Sequence, residues 1–432
     1  MSMTMTMGTA TMEKGAGRAM TRWPRGMLTA ALWALAAMIL MQVSTCSPAG
    51  DVFGSRGGTV ATGIDGPQTV QIPSNLPPAA GEVLGTGPVR VALLLPLTGD
   101  EGLANVGTSM ANAARLAMQA IEGDTRIPAN IQLTIKDTQG SSTRARQVTS
   151  EAIAEGSQLI LGPLLAESVR AAGATARTQG VPVIGFSNQS GVASDGVFLL
   201  NILPETEARR SLDYARSLGR SNIVALVSNS TVGDVQMAAL QAATAATGTP
   251  IQGVYRFSEN SLSEFQDQAN LIIPIIQSGQ VDTLFLPERR FAPNIALLLE
   301  NAGVDKNAIT IIGSSDWDGD SKIQSTPYLA GAFYPSVDPT GYERMAAQYE
   351  PVFGAKPHPL STFAYTAVLL ANSDALAKAN PPFSRTALTR SNGFDGRDGV
   401  FRFLSNGTNT HALVMKQAEL GGSRVVDPAK MP

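Results

Sequence analysis

The chain alternates apolar, strand-like segments with amphipathic, helix-like segments over residues 89–312. The first of these, residues 89–95, is a nearly continuous apolar run, which is typical of a parallel strand buried on both faces. The segment 104–121 follows with apolar residues at helical spacing, namely Gly107, Met110, Ala114, Ala117 and Ile121. Strands that alternate with helices of this length predict an α/β fold with parallel, doubly wound sheets and right-handed crossovers.

The alternation falls into two runs, with a break at Leu203-Pro204. In the first run we predict further strands at 131–136, 158–161 and 182–184, and helices at 142–155 and 166–178. In the second run we predict strands at 222–227, 251–255, 283–286 and 309–312, and helices at 206–218, 235–246, 262–277 and 294–301. Two runs of this kind predict two lobes.

The composition excludes several functions. Lys and Arg number 32 against 35 Asp and Glu, for a net charge of −3, so no basic surface is expected to hold a nucleic acid. One cysteine and two histidines exclude an internal disulfide framework and a His-rich metal site. The sequence has no phosphate-binding Gly-Lys-Ser/Thr loop and no Gly-x-Ser-x-Gly nucleophile motif. We therefore expect a protein without cofactor or metal that is not an enzyme.

The N-terminal 45 residues have the pattern of a secretory signal. Lys14, Arg18, Arg22 and Arg25 precede an apolar run at 27–43, and Cys46 stands at the expected cleavage point. Residues 43–46 resemble the lipobox of bacterial lipoproteins, although Thr45 departs from the Gly, Ala or Ser that this family prefers. The resemblance implies lipidation of Cys46, and Ser47 favours the outer membrane. An uncleaved membrane anchor and an unlipidated secreted protein are the alternatives.

Residues 46–88 are predicted to form a tether. The segment 47–88 contains nine glycines and six prolines without a sustained apolar period, so it cannot bury enough apolar surface to fold alone. A lipidated tether of this kind would let the folded body stand away from the membrane that holds it.

Several motifs in the body resemble the type I periplasmic binding proteins of the leucine/isoleucine/valine-binding kind. They are Val-Ala-Leu-Leu-Leu-Pro-Leu-Thr-Gly at 91–99, Lys-Asp-Thr-Gln-Gly at 136–140, Leu-Ile-Leu-Gly-Pro at 159–163, Val-Pro-Val-Ile at 181–184 and Gly-Arg-Asp-Gly-Val-Phe-Arg-Phe at 396–403. The resemblance implies two lobes joined by a three-crossing hinge. We place the first lobe at 89–203 and 314–395, and the second at 204–313 and 396–432.

Ligands of open parallel sheets bind beyond the carboxyl ends of the strands, where this chain has loops rich in Gly, Ser, Asn, Thr and Asp. In amino-acid-binding family members, the first lobe holds the ligand carboxylate and a second-lobe acid holds its ammonium. Carried over, these roles fall on loops 162–165 and 187–190 and on Asp316. The candidate ligand-binding residues are Gly162, Leu164, Leu165, Ser187, Asn188, Gln189, Ser190, Ser228, Asn229, Arg289, Ser315 and Asp316. Arg289 could hold an anion bidentately or could begin a solvated helix.

Two functions remain open for a membrane-anchored periplasmic protein of this kind. It could capture a small polar solute, such as an amino acid, for the membrane subunits of an ABC importer. However, Leu164 and Leu165 stand where a hydroxyl is expected, and segments 162–165 and 203–208 resemble the outer-membrane lipoprotein activators of penicillin-binding proteins. The second function is therefore activation of such a cell-wall synthase.

Overall fold

The computed structural model describes residues 79–432, and these form two lobes around two mainly parallel sheets. The first sheet has the strand order β1-β3-β2-β4-β5-β6. Its strands are β1 (Glu82–Leu84), β2 (Val89–Leu95), β3 (Ile131–Asp137), β4 (Leu159–Leu161), β5 (Val183–Gly185) and β6 (Val197–Leu199). All neighbours are parallel except β1, which runs antiparallel to β3. Helices α1 (Glu101–Gly123), α2 (Ser142–Ala154) and α3 (Ala166–Arg177) connect these strands.

Strand β2 explains why this lobe has helices on both faces of its sheet. Successive side chains of a strand point to opposite faces, and both faces of β2 are apolar. Val91, Leu93 and Leu95 enter one core cluster, whereas Ala92 and Leu94 enter another on the opposite face. The apolar run therefore requires a helical layer on each side, as its sequence predicted.

The second lobe repeats this arrangement around a sheet of order β16-β15-β11-β10-β9-β7-β8. Its strands are β7 (Ile223–Ser228), β8 (Ile251–Phe257), β9 (Thr283–Phe285), β10 (Thr310–Ile312), β11 (Phe333–Ser336), β15 (Leu413–Glu419) and β16 (Gly422–Lys430). Strands β7 to β11 are parallel, and β15 and β16 are antiparallel additions. Helices α4 (Pro204–Ser217), α5 (Thr231–Thr247), α6 (Leu262–Gln277), α7 (Ala292–Asn301) and α8 (Ser321–Ser325) cover the sheet.

The chain then returns to the first lobe. This return comprises α9 (Pro339–Phe353), α10 (Ser361–Asn372), α11 (Asp374–Ala377), α12 (Arg385–Leu388) and a small antiparallel sheet of β12 (Phe394–Gly396), β13 (Gly399–Phe403) and β14 (Asn409–His411). Its apolar side chains join the core cluster that contains β2, through residues such as Met345, Phe363, Phe401 and Phe403. The two lobes are thus joined by crossings near 200–203, 337–338 and 412.

Two of these crossings differ from their predicted positions. Residues 314–336 were expected in the first lobe, but Trp317, Tyr328 and Tyr334 are buried in the core of the second lobe. Residues 396–411 were expected in the second lobe, but Phe401 and Phe403 are buried in the first. The apolar pattern indicates that such a segment is buried, and it does not indicate which of two similar cores receives it.

The folded body also begins earlier than predicted. Residues 82–84 were assigned to the tether, yet they form β1 and pair with residues 133–135 of β3. Ala80 is held as well, since its N–H donates to Glu155 Oε1 at 3.1 Å and its carbonyl accepts from Lys136 Nζ at 2.7 Å. The predicted signal at 1–45, Cys46 and the tether up to residue 78 lie outside the described residues. Among residues 79–432, no helix combines the length and apolar character needed to cross a bilayer.

The buried ion pair that holds Ala80 supplies a test of this packing. Lys136 Nζ lies 2.9 Å from a carboxylate oxygen of Glu155, with side-chain exposures of 4% and 10%. We expect Glu155→Ala to lower the free energy of unfolding by about 3–5 kcal/mol, because it leaves the ammonium buried without its partner. Urea unfolding measures this loss. The matched control is Glu167→Ala, which breaks an exposed pair with Arg170 and should cost less than about 1 kcal/mol; equal losses would contradict the expectation.

Candidate functional site

A cavity of about 560 Å³ lies between the two lobes. The first lobe and the crossings contribute Asn188, Asn201, Ile202, Val337, Pro339, Tyr342, Pro359, Leu360, Phe363 and Asp398 to its lining. The second lobe contributes Glu207, Arg289, Ser315, Asp316, Asp318 and Ser336. Several of these residues lie in the loops that follow strands β5, β6, β9 and β10, so the cavity lies at the carboxyl ends of the parallel strands. This is the position at which open α/β sheets bind ligands.

Glu207 comes from the first turn of α4, directly after the first crossing. Pro204 occupies the N-terminal position of this helix, where its fixed φ suits the helix and its missing N–H costs nothing. A carboxylate in this turn is stabilised by the helix dipole. The Ser315 N–H donates to Glu207 Oε2 at 3.2 Å, and the Ser315 hydroxyl donates to Oε1. Glu207 thus joins α4 to the loop after β10.

Burial raises the pKa of Glu207 to about 7. The hydrogen bonds from Ser315 oppose this shift, and the nearby charge of Asp316 adds to it. Glu207 is 7% exposed as a whole residue, so the loss of hydration is the dominant cause.

Asp398 is placed in the cavity by a two-residue hairpin turn. Gly396 pairs with Gly399 across β12 and β13, so Arg397 and Asp398 form the turn. The guanidinium of Arg397 lies 4.5 Å from the centre of the Tyr365 ring and donates to its hydroxyl at 3.0 Å. The Arg397 N–H donates to Thr366 Oγ1 at 3.0 Å. Helix α10 therefore holds the turn from one side.

Helix α9 holds the same turn from another side. A Cβ atom at Gly341 would stand only 1.7 Å from the carbonyl oxygen of Arg397, so this contact requires glycine. Asp398 is 7% exposed, and its Oδ2 has no hydrogen-bond partner among the described residues. Burial raises its pKa to about 7, against an opposing hydrogen bond from Thr362.

The other two carboxylates of the cavity have cationic partners. Asp318 accepts from Lys416 Nζ at 2.6 Å and from the hydroxyls of Ser336 and Tyr334 at 2.7 and 3.1 Å. Asp316 lies 3.2 Å from Arg289 Nε, and the same guanidinium donates to Asp320 at 3.1 Å. Within residues 79–432, no three His, Cys, Asp or Glu side chains converge in a way that could hold a metal ion.

Of the candidate residues from the sequence, Asn188, Arg289, Ser315 and Asp316 line this cavity. Arg289 forms ion pairs with two acids, Asp316 and Asp320, and is therefore not free to bind an anion. The other eight, which do not line it, are Gly162, Leu164, Leu165, Ser187, Gln189, Ser190, Ser228 and Asn229. Their roles in ligand binding remain predictions.

Several of these eight residues make contacts away from the cavity between the lobes. The Gly162 backbone packs so closely on Leu94 that a Cβ would lie 2.2 Å from its carbonyl oxygen. Leu164 packs on the first-lobe core, and Leu165 precedes α3 as its N-cap. The Ser190 hydroxyl donates a hydrogen bond to Glu205 Oε1, and both residues line a separate cavity of about 490 Å³.

The sequence prediction did not include Glu207, Asp318 or Asp398. The signal for Asp398 was present, because a turn of Arg-Asp between two glycines indicates a hairpin. Its burial depends on contacts with α9 and α10, which the sequence does not show. Glu207 could have been suspected because it lies directly after a crossing between the lobes.

A family model described as periplasmic binding protein matches residues 88–423. The chain belongs to the periplasmic binding protein family. Its two-lobed architecture is the type I form of that fold, as the sequence predicted. Membership of this family implies that the protein lies in the periplasm and binds a ligand.

Solved structures agree with this assignment. A putative branched-chain amino acid ABC transporter protein from Rhodospirillum rubrum superposes with a TM-score of 0.67 at 19% identity, covering 78% of this chain and 99% of its own. A substrate-binding protein from Desulfitobacterium hafniense in complex with Leu gives 0.57 at 17%, covering 78% and 99%. A solute-binding protein from R. palustris in complex with benzoate gives 0.53 at 15%, covering 80% and 97%. At these low identities, the superpositions establish a shared fold alone. No curated protein shows significant sequence similarity to the chain.

The two buried carboxyls predict how stability changes with pH. In the unfolded chain Glu and Asp have pKa values near 4.5 and 3.8, whereas Glu207 and Asp398 have pKa values of about 7 in the folded protein. The folded state therefore binds more protons, so their stabilising effect is complete below the unfolded pKa and is lost as the pH rises through 7. We expect Glu207→Gln or Asp398→Asn to reduce this loss between pH 4.5 and 8 by on the order of 2–3 kcal/mol.

Urea unfolding of the parent and each variant across this pH range measures the difference. Asp395→Asn on strand β12, at an exposed position of the same hairpin, controls for the substitution itself. A pH profile in Asp398→Asn that parallels the parent would contradict the expected burial of that carboxyl.

Proposed function

We propose that the protein captures a small polar solute in the cavity between its lobes and delivers it to the membrane subunits of an ABC importer. The observation that carries the proposal is the pair of buried carboxyls, Glu207 in the second lobe and Asp398 in the first, that line one cavity. The cavity volume of about 560 Å³ lies in the range of small-molecule sites. An amino acid or related compound is of suitable size.

Relatives support this proposal at the level of the fold. The D. hafniense structure is a complex with Leu, and the R. palustris structure is a complex with benzoate. One fold thus accommodates solutes of different chemistry. The specificity of this chain must therefore be argued from its own lining residues.

The proposed mechanism is closure of the two lobes around the solute, without a catalytic step. The lobes are joined by crossings near 200–203, 337–338 and 412, and Ile202 and Val337 of these crossings line the cavity. A solute that contacts both lobes stabilises the closed arrangement, in which the two walls of the cavity are close together. The importer can then distinguish loaded from empty protein by this arrangement.

Membrane attachment through Cys46 completes the proposal. A lipidated Cys46 at the end of the signal would anchor the body by acyl chains, and the glycine- and proline-rich segment after it would act as the tether. Ser47 favours the outer membrane as the site of anchoring, which agrees better with the activator candidate below than with delivery to an importer of the inner membrane.

One observation favours the second candidate, activation of a penicillin-binding protein. The loop 162–165, which resembles the activator lipoproteins, does not line the cavity, and Leu165 at its end is 38% exposed. A partner surface that includes this loop would leave the cavity without a role in activation.

Solute capture predicts a saturable rise in the thermal unfolding midpoint. A ligand that binds only the folded state stabilises it by about 2.7 kcal/mol at one hundred times its Kd. Differential scanning fluorimetry of the purified protein against amino acids, amines, carboxylates and aromatic acids measures the rise. In Asp398→Asn the rise produced by the solute should be reduced, whereas Asp395→Asn should retain it.

The activator candidate predicts the opposite pattern. In that case no solute of the panel shifts the midpoint, and the purified full-length protein raises the glycan polymerisation rate of a purified penicillin-binding protein. If both results were obtained, activation of a penicillin-binding protein would replace solute capture as the proposed function.

Lipid anchoring predicts that Cys46→Ala moves the protein from the membrane fraction to the soluble periplasmic fraction, because the acylated residue is lost. Fractionation and immunoblotting measure the distribution, and intact-mass analysis of the parent should show an acylated N-terminal cysteine. Ser47→Ala is the matched control and should remain with the membrane. Retention of Cys46→Ala in the membrane would instead indicate that the run at 27–43 is an uncleaved anchor.

A further inference from the structure

The four carboxyl groups of the cavity differ in what neutralises them. Asp316 is paired with Arg289 at 3.2 Å, and Asp318 with Lys416 at 2.6 Å. Glu207 and Asp398 form no ion pair within residues 79–432. Arg289 is the one cation among the lining residues, and it is already shared between Asp316 and Asp320. The cavity therefore contains two acids, one from each lobe, for which the described chain supplies no cation.

Asp398 is the acid with the greater need of a partner. Its side chain is buried, with the residue 7% exposed, and its Oδ2 accepts no hydrogen bond from the described residues. A buried carboxylate oxygen without a hydrogen-bond partner loses its hydration without compensation. The turn that presents it is held by Tyr365, Thr366 and Gly341, so Asp398 cannot easily turn away to reach water.

Part of the remaining wall is apolar, beside the polar side chains of Asn188, Asn201, Ser315, Ser336 and Tyr342. Ile202, Val337, Pro339, Pro359, Leu360 and Phe363 line the same cavity as the two acids. Such a wall removes the methylene groups of a ligand from water, at about 0.8 kcal/mol for each group buried. This apolar part of the wall offers no hydrogen-bond partner to a ligand.

On the basis of the proposed solute-binding function, we infer that the solute has two cationic groups joined by an apolar chain, one bound by Asp398 of the first lobe and the other by Glu207 of the second. A linear alkyl diamine is the simplest compound of this class. Because its two ends contact different lobes, such a solute binds best when the lobes are together. Charge-assisted hydrogen bonds to both carboxyls supply the specificity.

Two other ligand classes fit the cavity less well. A ligand carboxylate beside Asp398 would be repelled once Asp398 ionises, and Arg289 is already neutralised by its two acids. A metal ion requires several converging ligands, and the described residues contain no such group of three. An organic dication places one charge at each acid and needs no such convergence.

Calorimetric titration of the purified full-length protein with ligands of matched length tests the inference. At pH 8, which is above the pKa of about 7 of both carboxyls, 1,4-diaminobutane should bind saturably. The matched neutral and anionic compounds, 1,4-butanediol and succinate, should not bind, and calcium chloride should give no heat of binding. 1-Aminobutane, which has one cation, should bind at least about tenfold more weakly than the diamine.

Substitutions then assign the two ends. Asp398→Asn and Glu207→Gln should each weaken 1,4-diaminobutane binding by about tenfold or more, because each removes one charge-assisted contact. Asp395→Asn, at an exposed position of the same hairpin, should leave the affinity unchanged. A parent-like circular dichroism spectrum and a cooperative thermal transition establish that the variants fold, and Glu207→Gln provides an independent test if Asp398→Asn does not fold.

The outcomes separate this inference from the proposed function. Binding of leucine, succinate or 1,4-butanediol in place of the diamine would overturn the dication and leave solute capture standing. Binding of the diamine with equal affinity in Asp395→Asn, Asp398→Asn and Glu207→Gln would overturn the assigned site. Binding of no solute at all would overturn both the inference and the proposed function.

Discussion

Burial of parallel strands on both faces is the constraint on which the rest of this structure depends. In β2, alternate side chains enter two separate core clusters, and in β7 Val224 and Leu226 enter one cluster while Ala225 and Val227 enter another. A strand of this kind needs a helix on each side, so the chain must cross over after every strand. All parallel strands then end at the same edge of their sheet. The loops at those edges are free of this packing requirement, and they form part of the walls of the cavity.

The return of the chain to the first lobe gives the cavity its distinctive charge. Helices α9 and α10 pack on the first-lobe core through Met345 and Phe363, and the hairpin of β12 and β13 packs there through Phe401. This packing brings the turn at Arg397 against both helices and directs Asp398 into the cavity. An acid at a hairpin turn is ordinarily solvated. Here the surrounding apolar core excludes water from the Asp398 carboxyl. Tertiary packing therefore determines the chemistry of this group.

The parts of the fold that could be predicted from sequence are those governed by local periodicity. The helix expected at 262–277 has those bounds in the structure, and its apolar face is buried through Phe265, Ala269, Ile272 and Ile276. Strand β6 was missed because three buried residues, Val197–Leu199, are too few to show a period. The crossings were misplaced since Trp317 and Phe401 are apolar signals that either lobe could have accommodated. Asp316 was predicted through the family resemblance and lines the cavity, whereas the burial of Glu207 and Asp398 depends on residues distant in sequence.

The two uncompensated acids oppose the stability of the empty protein. Each favours its neutral form when buried, and raising the pH through about 7 charges both of them in a region that solvates charge poorly. Well-packed apolar residues at these two positions would avoid this cost. Because Glu207 and Asp398 belong to different lobes, their charges also resist bringing the lobes together unless a cation lies between them. The same feature that weakens the empty fold can therefore make closure depend on the ligand, since a neutral solute would leave both charges buried and unpaired.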